Sequence, residues 1–141
     1  LFESDKCIVI FPSGLVSRKK NGIVKDLEWR KTFVTKAKKH NKPIYPVYIS
    51  GQNSNRFYKI AKWRSLIGIK INLEMFFLVD EMFKQKGNTI KITMGKLIEP
   101  KLLDNKKNDS EWAQAIKNHV YKIQNNINFE FIDSIKNEKN Y

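Results

Sequence analysis

The sequence contains only one cysteine and no long uninterrupted apolar run. Cys7 cannot form an internal disulfide and has no second thiol for a cysteine-rich zinc site, which argues against a secreted disulfide scaffold and favours a reducing compartment. The most apolar stretch, residues 67–79, is interrupted by Lys70, Asn72 and Glu74. It therefore lacks the roughly 18 consecutive apolar residues that mark a membrane-spanning helix.

An initiator methionine and a secretion signal are also missing from the start of the chain. Residues 1–6 have no basic start, apolar middle or small-residue cleavage site. We therefore expect this chain to be part of a longer protein.

Acidic residues are scarce: 14 Asp and Glu stand against 27 Lys and Arg, for a formal net charge of +13. Lysine accounts for 23 of these cations, and Lys, Asn and Ile together make up 54 of the 141 residues. This bias is typical of AT-rich coding sequences, so part of the charge says little about function. A positive field attracts nucleic acid, anionic membranes and acidic carrier proteins alike.

The apolar residues are sufficient for a globular domain, because 41% of the chain is hydrophobic and 12% is aromatic. Residues 7–11 and 44–49 are apolar on both faces and predict two buried strands. Between them, apolar side chains at three- and four-residue spacing predict a helix from Asp26 to about Lys39. Two strands joined through a helix predict an α/β fold with a partly parallel β-sheet flanked by helices.

The remainder of the chain predicts mostly helices. The pattern favours helices over residues 55–66, 73–84 and 109–123, a half-exposed edge strand over 89–94, and a polar linker over 101–108. We expect fraying in the C-terminal tail, residues 127–141. Two regions follow, a domain part over residues 1–100 and a C-terminal helix with its tail over 101–141.

The loop after the first predicted strand offers donors for an anion. Open α/β sheets place ligands at the carboxyl ends of their strands, and Ser13, Ser17 and Arg18 supply hydroxyl and cationic groups there. Gly14 lets the backbone approach a ligand closely. The alternative is an ordinary turn followed by a solvated basic loop.

The same loop starts a longer pattern of motifs. The run from Phe11 to Arg18 reads Phe-Pro-Ser-Gly-Leu-Val-Ser-Arg, and Trp29 follows it. Farther on, Pro43 to Gly51 reads Pro-Ile-Tyr-Pro-Val-Tyr-Ile-Ser-Gly and continues into Asn53-Ser-Asn-Arg-Phe-Tyr58. In order and spacing the sequence resembles the glycerolipid acyltransferase family, in particular its hemolysin-like and ornithine-lipid acyltransferase branch. The resemblance extends from the opening strand to Gly95, and it implies that residues 1–100 are the central and C-terminal part of an incomplete acyltransferase-type domain.

This resemblance implies a set of site residues. The loop would hold the polar or phosphate headgroup of the acceptor through Phe11, Pro12, Ser13, Gly14, Ser17 and Arg18. A second motif strand and loop would contain Pro46, Val47, Gly51, Asn53 and Ser54.

The resemblance also implies an activity and partners. The enzyme would transfer a fatty acyl group from an acyl carrier protein or coenzyme A thioester to a lyso-lipid acceptor of the lyso-amino-lipid or lysophosphatidate type. It would act in membrane lipid biosynthesis, in the cytoplasm, peripherally on the anionic inner face of the cell membrane. No cofactor, metal site or nucleic-acid partner is expected.

The sequence departs from the family pattern at three points. Ser13 stands where the family commonly has Glu, and Val16 stands where it has Arg. The first family motif, His-x-x-x-x-Asp, supplies a general base and its orienting acid, but Tyr45 follows His40 at that spacing and Gln124 follows His119. The catalytic pair is therefore expected upstream of Leu1, and this chain alone is expected to be inactive.

Several features have simpler interpretations or support other classes. We expect Cys7 to be an inert core thiol, Trp29 and Phe33 to pack in the core, and both histidines to have no catalytic role. The basic and aromatic segment 56–67 suits either a membrane-interface helix or a helix packed on the core. The alternatives to an acyltransferase are a basic nucleic-acid-binding module and a degenerate gene product without activity.

Overall fold

The computed structural model describes residues 2–137 and combines helices with two small antiparallel sheets. The strands are β1 (Arg18–Lys20), β2 (Ile23–Lys25), β3 (Val47–Ile49) and β4 (Ile92–Met94). The α-helices are α1 (Thr32–Lys39), α2 (Asn55–Leu66), α3 (Leu78–Phe83), α4 (Asp109–Ile123) and α5 (Phe131–Asn137), with 3-10 helices at Leu73–Phe77 and Pro100–Leu102. None of the helices in this part of the chain is both long enough and apolar enough to cross a bilayer.

The described residues form two compact units. Unit 1 contains residues 2–16, 27–49 and 92–137, and unit 2 contains residues 17–26 and 50–91. The principal hydrophobic core lies in unit 1, where α4 packs against α1, α5 and β3. Its buried residues are Phe33, Val34, Ile98, Leu103, Trp112, Ala113, Ala115, Ile116 and Phe131.

The sheet of unit 1 is antiparallel, contrary to the predicted parallel sheet. Val47 pairs with Met94 and Ile49 with Ile92, and an isolated antiparallel bridge joins Ile44 to Ile98. The predicted strand 44–49 therefore exists in shortened form. The fold is mixed α and β, but the predicted parallel arrangement is wrong.

The error comes from residues 7–11, which were predicted as a buried strand. Neither sheet of the described chain includes them, Phe11 is 74% exposed, and Cys7 is exposed rather than in the core. Apolar β-branched residues favour a strand, but a strand also requires a hydrogen-bonding partner. Since this segment pairs with no strand in residues 2–137, the predicted strand-helix-strand unit does not form there.

Strand β4 lies at the predicted position, but its apolar side chains face outward. Thr93 is buried, whereas Ile92 and Met94 are exposed. On the inner side of the partner strand, the Tyr48 ring packs edge-on against Tyr121 of α4, with their centroids 6.0 Å apart. The alternation therefore predicted a half-exposed strand, which the structure has in shortened form with the polar Thr93 at its buried position.

Helix α1 begins at Thr32, six residues after Asp26, where the helix was predicted to begin. The segment before it is held by other hydrogen bonds: the Gln114 side chain accepts from the Trp29 backbone N–H and donates to the Trp29 carbonyl. The Lys117 ammonium also donates to the Leu27 carbonyl. Because these backbone groups are already engaged by α4, they do not form the first turn of a helix.

The helices predicted farther along the chain are confirmed. Helix α2 has the predicted bounds, and residues 73–83 form a 3-10 turn that continues into α3. Helix α4 begins at Asp109 behind a capping box in which Asn108 accepts the Glu111 N–H and Glu111 accepts the Asn108 N–H. Helix α5 occupies part of the tail for which fraying was predicted, and residues 138–141 lie outside the described residues.

Candidate functional site

In unit 1, residues Phe11 to Gly14 form a tight turn. The Gly14 N–H donates to the Phe11 carbonyl at 3.2 Å, and Gly14 has a φ of 64°, which disfavours side chains. A Cβ at this position would stand 3.3 Å from the Arg30 guanidinium carbon. The backbone conformation of the turn therefore favours glycine, and the absence of a side chain there lets the Arg30 guanidinium approach closely.

Arg30 is the cation nearest to this turn, and sequence reasoning missed it. The Arg30 backbone N–H donates to the Pro12 carbonyl at 3.0 Å, and this bond holds the Arg30 backbone beside the turn. The Ser13 hydroxyl is engaged locally with the backbone of Leu15. Arg30 lies within the segment predicted as a helix, and its separation from Gly14 in sequence gives no local sign that the two residues are close in space.

Ser17 and Arg18 belong to unit 2, where Arg18 begins the hairpin strand β1. The Arg18 Nη2 atom donates to Glu74 Oε1 at 2.6 Å. Arg64 binds the same carboxylate, with its Nη2 atom 3.3 Å from Oε1. The Arg64 Nε atom lies 2.8 Å from Oε2 without directing its N–H at that oxygen, so this contact is a Coulombic attraction rather than a hydrogen bond.

This Arg18–Glu74–Arg64 cluster retains a positive charge. Glu74 is fully buried, whereas the Arg18 side chain is 24% exposed. Two guanidinium groups share one carboxylate, which leaves one net positive charge at the surface of unit 2. The Arg18 Nη1 atom also donates to the Ser17 carbonyl at 3.5 Å, so the guanidinium contacts both the backbone and Glu74.

Ser17 lies beside Tyr58, an α2 residue that also contacts the second predicted motif. The Ser17 hydroxyl and the Tyr58 hydroxyl are 3.5 Å apart, and the Tyr58 oxygen accepts the Asn53 N–H at 3.2 Å. Tyr58 is buried and anchors both segments within unit 2. Asn53 thus contacts Tyr58 through its backbone N–H rather than through its side chain.

Ser54 is the N-cap of α2 rather than an exposed loop residue. Its hydroxyl accepts the Phe57 N–H, while its own N–H and hydroxyl donate to the Glu81 carboxylate. Burial alone would raise the pKa of Glu81, but the two hydrogen bonds from Ser54 and the ion pair with Lys84 outweigh it and lower the pKa. Glu81 therefore stays ionised and joins α3 to the start of α2.

The other second-motif residues have backbone roles. The Pro46 carbonyl accepts the Gly95 N–H at 2.8 Å, and Val47 opens strand β3. In unit 2, Gly51 has a φ of 109°, a conformation that favours glycine. Pro46, Val47 and Gly51 therefore contribute to strand pairing and to the course of the backbone.

Neither histidine has the surroundings of a catalytic base. His40 ends α1 and stacks on Phe2. His119 is buried, with its Nδ1 atom 3.0 Å from the Ser134 hydroxyl. Burial, assisted by the Lys122 charge, lowers the pKa of His119. Within residues 2–137 neither ring is hydrogen bonded to a carboxylate, and no cluster of three potential metal ligands occurs.

Comparison with known families identifies the class of protein. The family model described as "Acyltransferase" matches residues 1–130. The chain therefore belongs to this acyltransferase family, and the resemblance seen in the motifs is confirmed. No solved structure matches the chain.

Two curated relatives refine the comparison. The chain is 42% identical over 122 residues to a lyso-glycine lipid O-acyltransferase from Bacteroides thetaiotaomicron, an alignment that covers 86% of this chain and 45% of the relative. It is 43% identical over 122 residues to a lyso-glycine lipid O-acyltransferase from Phocaeicola vulgatus, covering 86% of this chain and 44% of that relative. The chain thus spans less than half the length of the curated relatives it matches.

Proposed function

We propose that the chain is part of an enzyme that transfers a fatty acyl group to the hydroxyl of a lyso-amino-lipid. The observation that carries the proposal is the 42% identity to a lyso-glycine lipid O-acyltransferase over 86% of this chain. The acyl donor is a thioester of acyl carrier protein or coenzyme A. The acceptor oxygen attacks the thioester carbonyl, the ester bond forms, and the thiol leaves with the acceptor's proton.

This reaction requires a base that the described residues do not offer. Neither histidine has an Asp at the motif spacing, and buried His119 faces Ser134 rather than a carboxylate. We therefore place the His-x-x-x-x-Asp pair N-terminal to Leu1 and expect no acyl transfer from the 141-residue chain alone. The boundary near residue 100, between the domain part and the C-terminal helix with its tail, remains a prediction.

The Arg18–Glu74–Arg64 cluster is the proposed site for the anionic headgroup of the acceptor. Its net positive charge and the partial exposure of Arg18 suit a carboxylate or phosphate. The Ser17 hydroxyl, next in the chain, supplies a further donor. The Phe11–Gly14 turn with Arg30 is a separate anion-binding candidate in unit 1, and kinetics distinguish the two.

Substitution of Arg18 tests this assignment in the protein extended by the sequence that precedes Leu1 in its gene. We expect Arg18→Ala to raise the KM for the acceptor about tenfold, corresponding to the loss of one charge-assisted hydrogen bond, with a smaller effect on kcat. Arg18→Lys should recover part of the loss. Lys20→Ala, which removes an exposed cation from the same strand, serves as the control.

The alternative assignment predicts a different result. If Arg30→Ala raises the acceptor KM while Arg18→Ala leaves it unchanged, the turn in unit 1 binds the headgroup and the assignment to Arg18 is wrong. The proposed location is peripheral, on the cytoplasmic inner face of the membrane, where the lyso-lipid acceptor resides. Its support is the apolar and basic surface of unit 2.

A further inference from the structure

One side of helix α2 forms an open groove that combines apolar and cationic side chains. The groove has a volume of about 510 Å³, and it is lined by Trp63, Ile67, Ile69, Arg56, Lys59 and Arg64. All of these residues belong to unit 2. We call this side of α2, together with the neighbouring Lys62 and Leu66, the Trp63 face.

The Trp63 face exposes large apolar side chains. Trp63 is 69% exposed, Leu66 is 72% exposed and Ile67 is 67% exposed. The opposite side of α2 is buried, since Phe57, Tyr58 and Ala61 are all shielded from solvent. The two interpretations of segment 56–67 thus apply to different sides of one helix: one side packs in the unit, and the other is open.

The charge of this face has one sign. Residues 55–73 contain five Lys and Arg and no Asp or Glu. The next acid, Glu74, is buried and shared by two arginines, so it does not neutralise the exposed lysines. The Trp63 face therefore presents a positive potential around an apolar centre.

We propose that the Trp63 face docks the enzyme on an anionic lipid bilayer, with Trp63, Leu66 and Ile67 inserted at the level of the headgroups. This inference deepens the proposed function and rests on it, because a lyso-lipid acceptor lies in a membrane. Trp is favoured at that depth, and Lys59 and Lys62 reach lipid phosphates while their methylene stems stay among apolar groups.

A bilayer suits this surface better than an acidic protein or a nucleic acid does. Each of those partners would neutralise the cations, but a nucleic acid would leave Leu66 and Ile67 in water. An acidic protein would need an apolar patch opposite Trp63 within its own negative surface. An anionic bilayer both neutralises the cations and buries the apolar side chains, since it has phosphate at its surface and hydrocarbon directly beneath.

Vesicle binding of the 141-residue chain tests the proposal without reference to activity. Vesicles of phosphatidylglycerol and phosphatidylcholine are used in flotation assays across a salt series. We expect Trp63→Ala to weaken binding about tenfold. We expect Lys59→Gln with Lys62→Gln to weaken it about tenfold or more at low salt. Tyr45→Ala and the pair Lys91→Gln with Lys101→Gln, which alter exposed residues elsewhere, should change it less than twofold.

Insertion is measured separately from electrostatic attraction. Of the three tryptophans, Trp112 is buried and Trp29 is half-buried against the core of unit 1, so the emission of exposed Trp63 is the component that should shift most to shorter wavelength on vesicles. Brominated acyl chains should quench it, and the Trp63→Phe variant should lose this quenched component. Circular dichroism of each variant confirms that its fold is retained.

Three results would overturn the proposal. The first is no binding of the wild-type chain to anionic vesicles at low salt. The second is binding that Trp63→Ala does not weaken and bromolipids do not quench. The third is saturable binding of an acidic acyl carrier protein that Lys59→Gln with Lys62→Gln abolishes, without vesicle binding. Acyl transfer measured with the acceptor in detergent micelles is independent of docking, so failure there counts against the proposed function alone.

Discussion

Glu74 is the residue on which the proposed headgroup site depends. It is fully buried, and Arg18 and Arg64 approach it from segments far apart in the sequence. The desolvation of its charge is offset by these two guanidinium groups. Glu74 binds both arginines, and this pairing orients the Arg18 guanidinium.

We expect Glu74→Ala to lower the free energy of unfolding by about 3 kcal/mol, because it leaves two partly buried arginines without their counter-charge. Urea denaturation of the 141-residue chain measures this quantity. Glu28→Ala, which removes an exposed glutamate, should change it by less than about 0.5 kcal/mol. Equal effects of the two substitutions would show that the cluster contributes nothing to stability.

His119 gives the chain a defined response to pH. Its ring is buried between Phe129 and Phe131, and burial lowers its pKa below the ordinary 6.5. The unfolded chain therefore binds a proton more readily than the folded chain does. The stabilisation from neutral His119 is fully present above pH 6.5 and is lost as the pH falls toward the folded pKa.

Thermal melting should therefore show a fall in stability between pH 7 and pH 5, and His119→Gln should flatten the profile in that range. Ser134→Ala removes the 3.0 Å contact but keeps the titrating ring, so its profile should keep the wild-type slope. The lowered pKa values of Asp109 and Glu130 act at lower pH, below the ordinary values of 3.8 and 4.5. An unchanged slope in His119→Gln would contradict this assignment.

At the scale of elements, local sequence rules succeed where the stabilising contacts are local. Helix α4 follows a capping box at Asn108 and Glu111, and its apolar positions supply much of the core. Helix α2 follows the Ser54 cap and has the predicted bounds. In both cases the capping residue and the first helical turn lie within four residues of each other. The interactions that start the helix can therefore be recognised in the local sequence.

The capping box provides the test at this scale. We expect Asn108→Ala to lower the free energy of unfolding by about 1 kcal/mol, since it removes the acceptor for the Ser110 and Glu111 N–H groups. The matched control is Asn105→Ala, an exposed asparagine in the preceding turn. Helix content by circular dichroism should change little in either variant.

The elements that were predicted incorrectly depend on distant partners. The start of α1 is displaced because Gln114, 85 residues from Trp29 in sequence, takes up the Trp29 backbone. The antiparallel pairing of β3 with β4 likewise cannot be predicted from the sequence of either strand alone. For the same reason Arg18 was a candidate from its motif, whereas its partner Glu74, 56 residues away, was not foreseen.

At the scale of the whole molecule, the net charge of +13 reflects both a compositional bias and the placement of particular cations. Much of it reflects lysine bias. The informative part is its position, on the Arg18–Glu74–Arg64 cluster and on the Trp63 face of α2. On our proposals, the first group binds an anionic headgroup and the second docks on an anionic bilayer, and we place the proton transfer in residues outside this chain.

Acyl transfer to a lyso-glycine lipid, followed by mass spectrometry, tests the central claim most directly. Acyl carrier protein and coenzyme A thioesters are each supplied as donor, to the chain alone and to the chain extended by its upstream gene sequence. We predict that the extended protein forms the O-acylated lipid and that the 141-residue chain alone does not. A folded, extended protein that forms no acylated product with either donor would contradict the account.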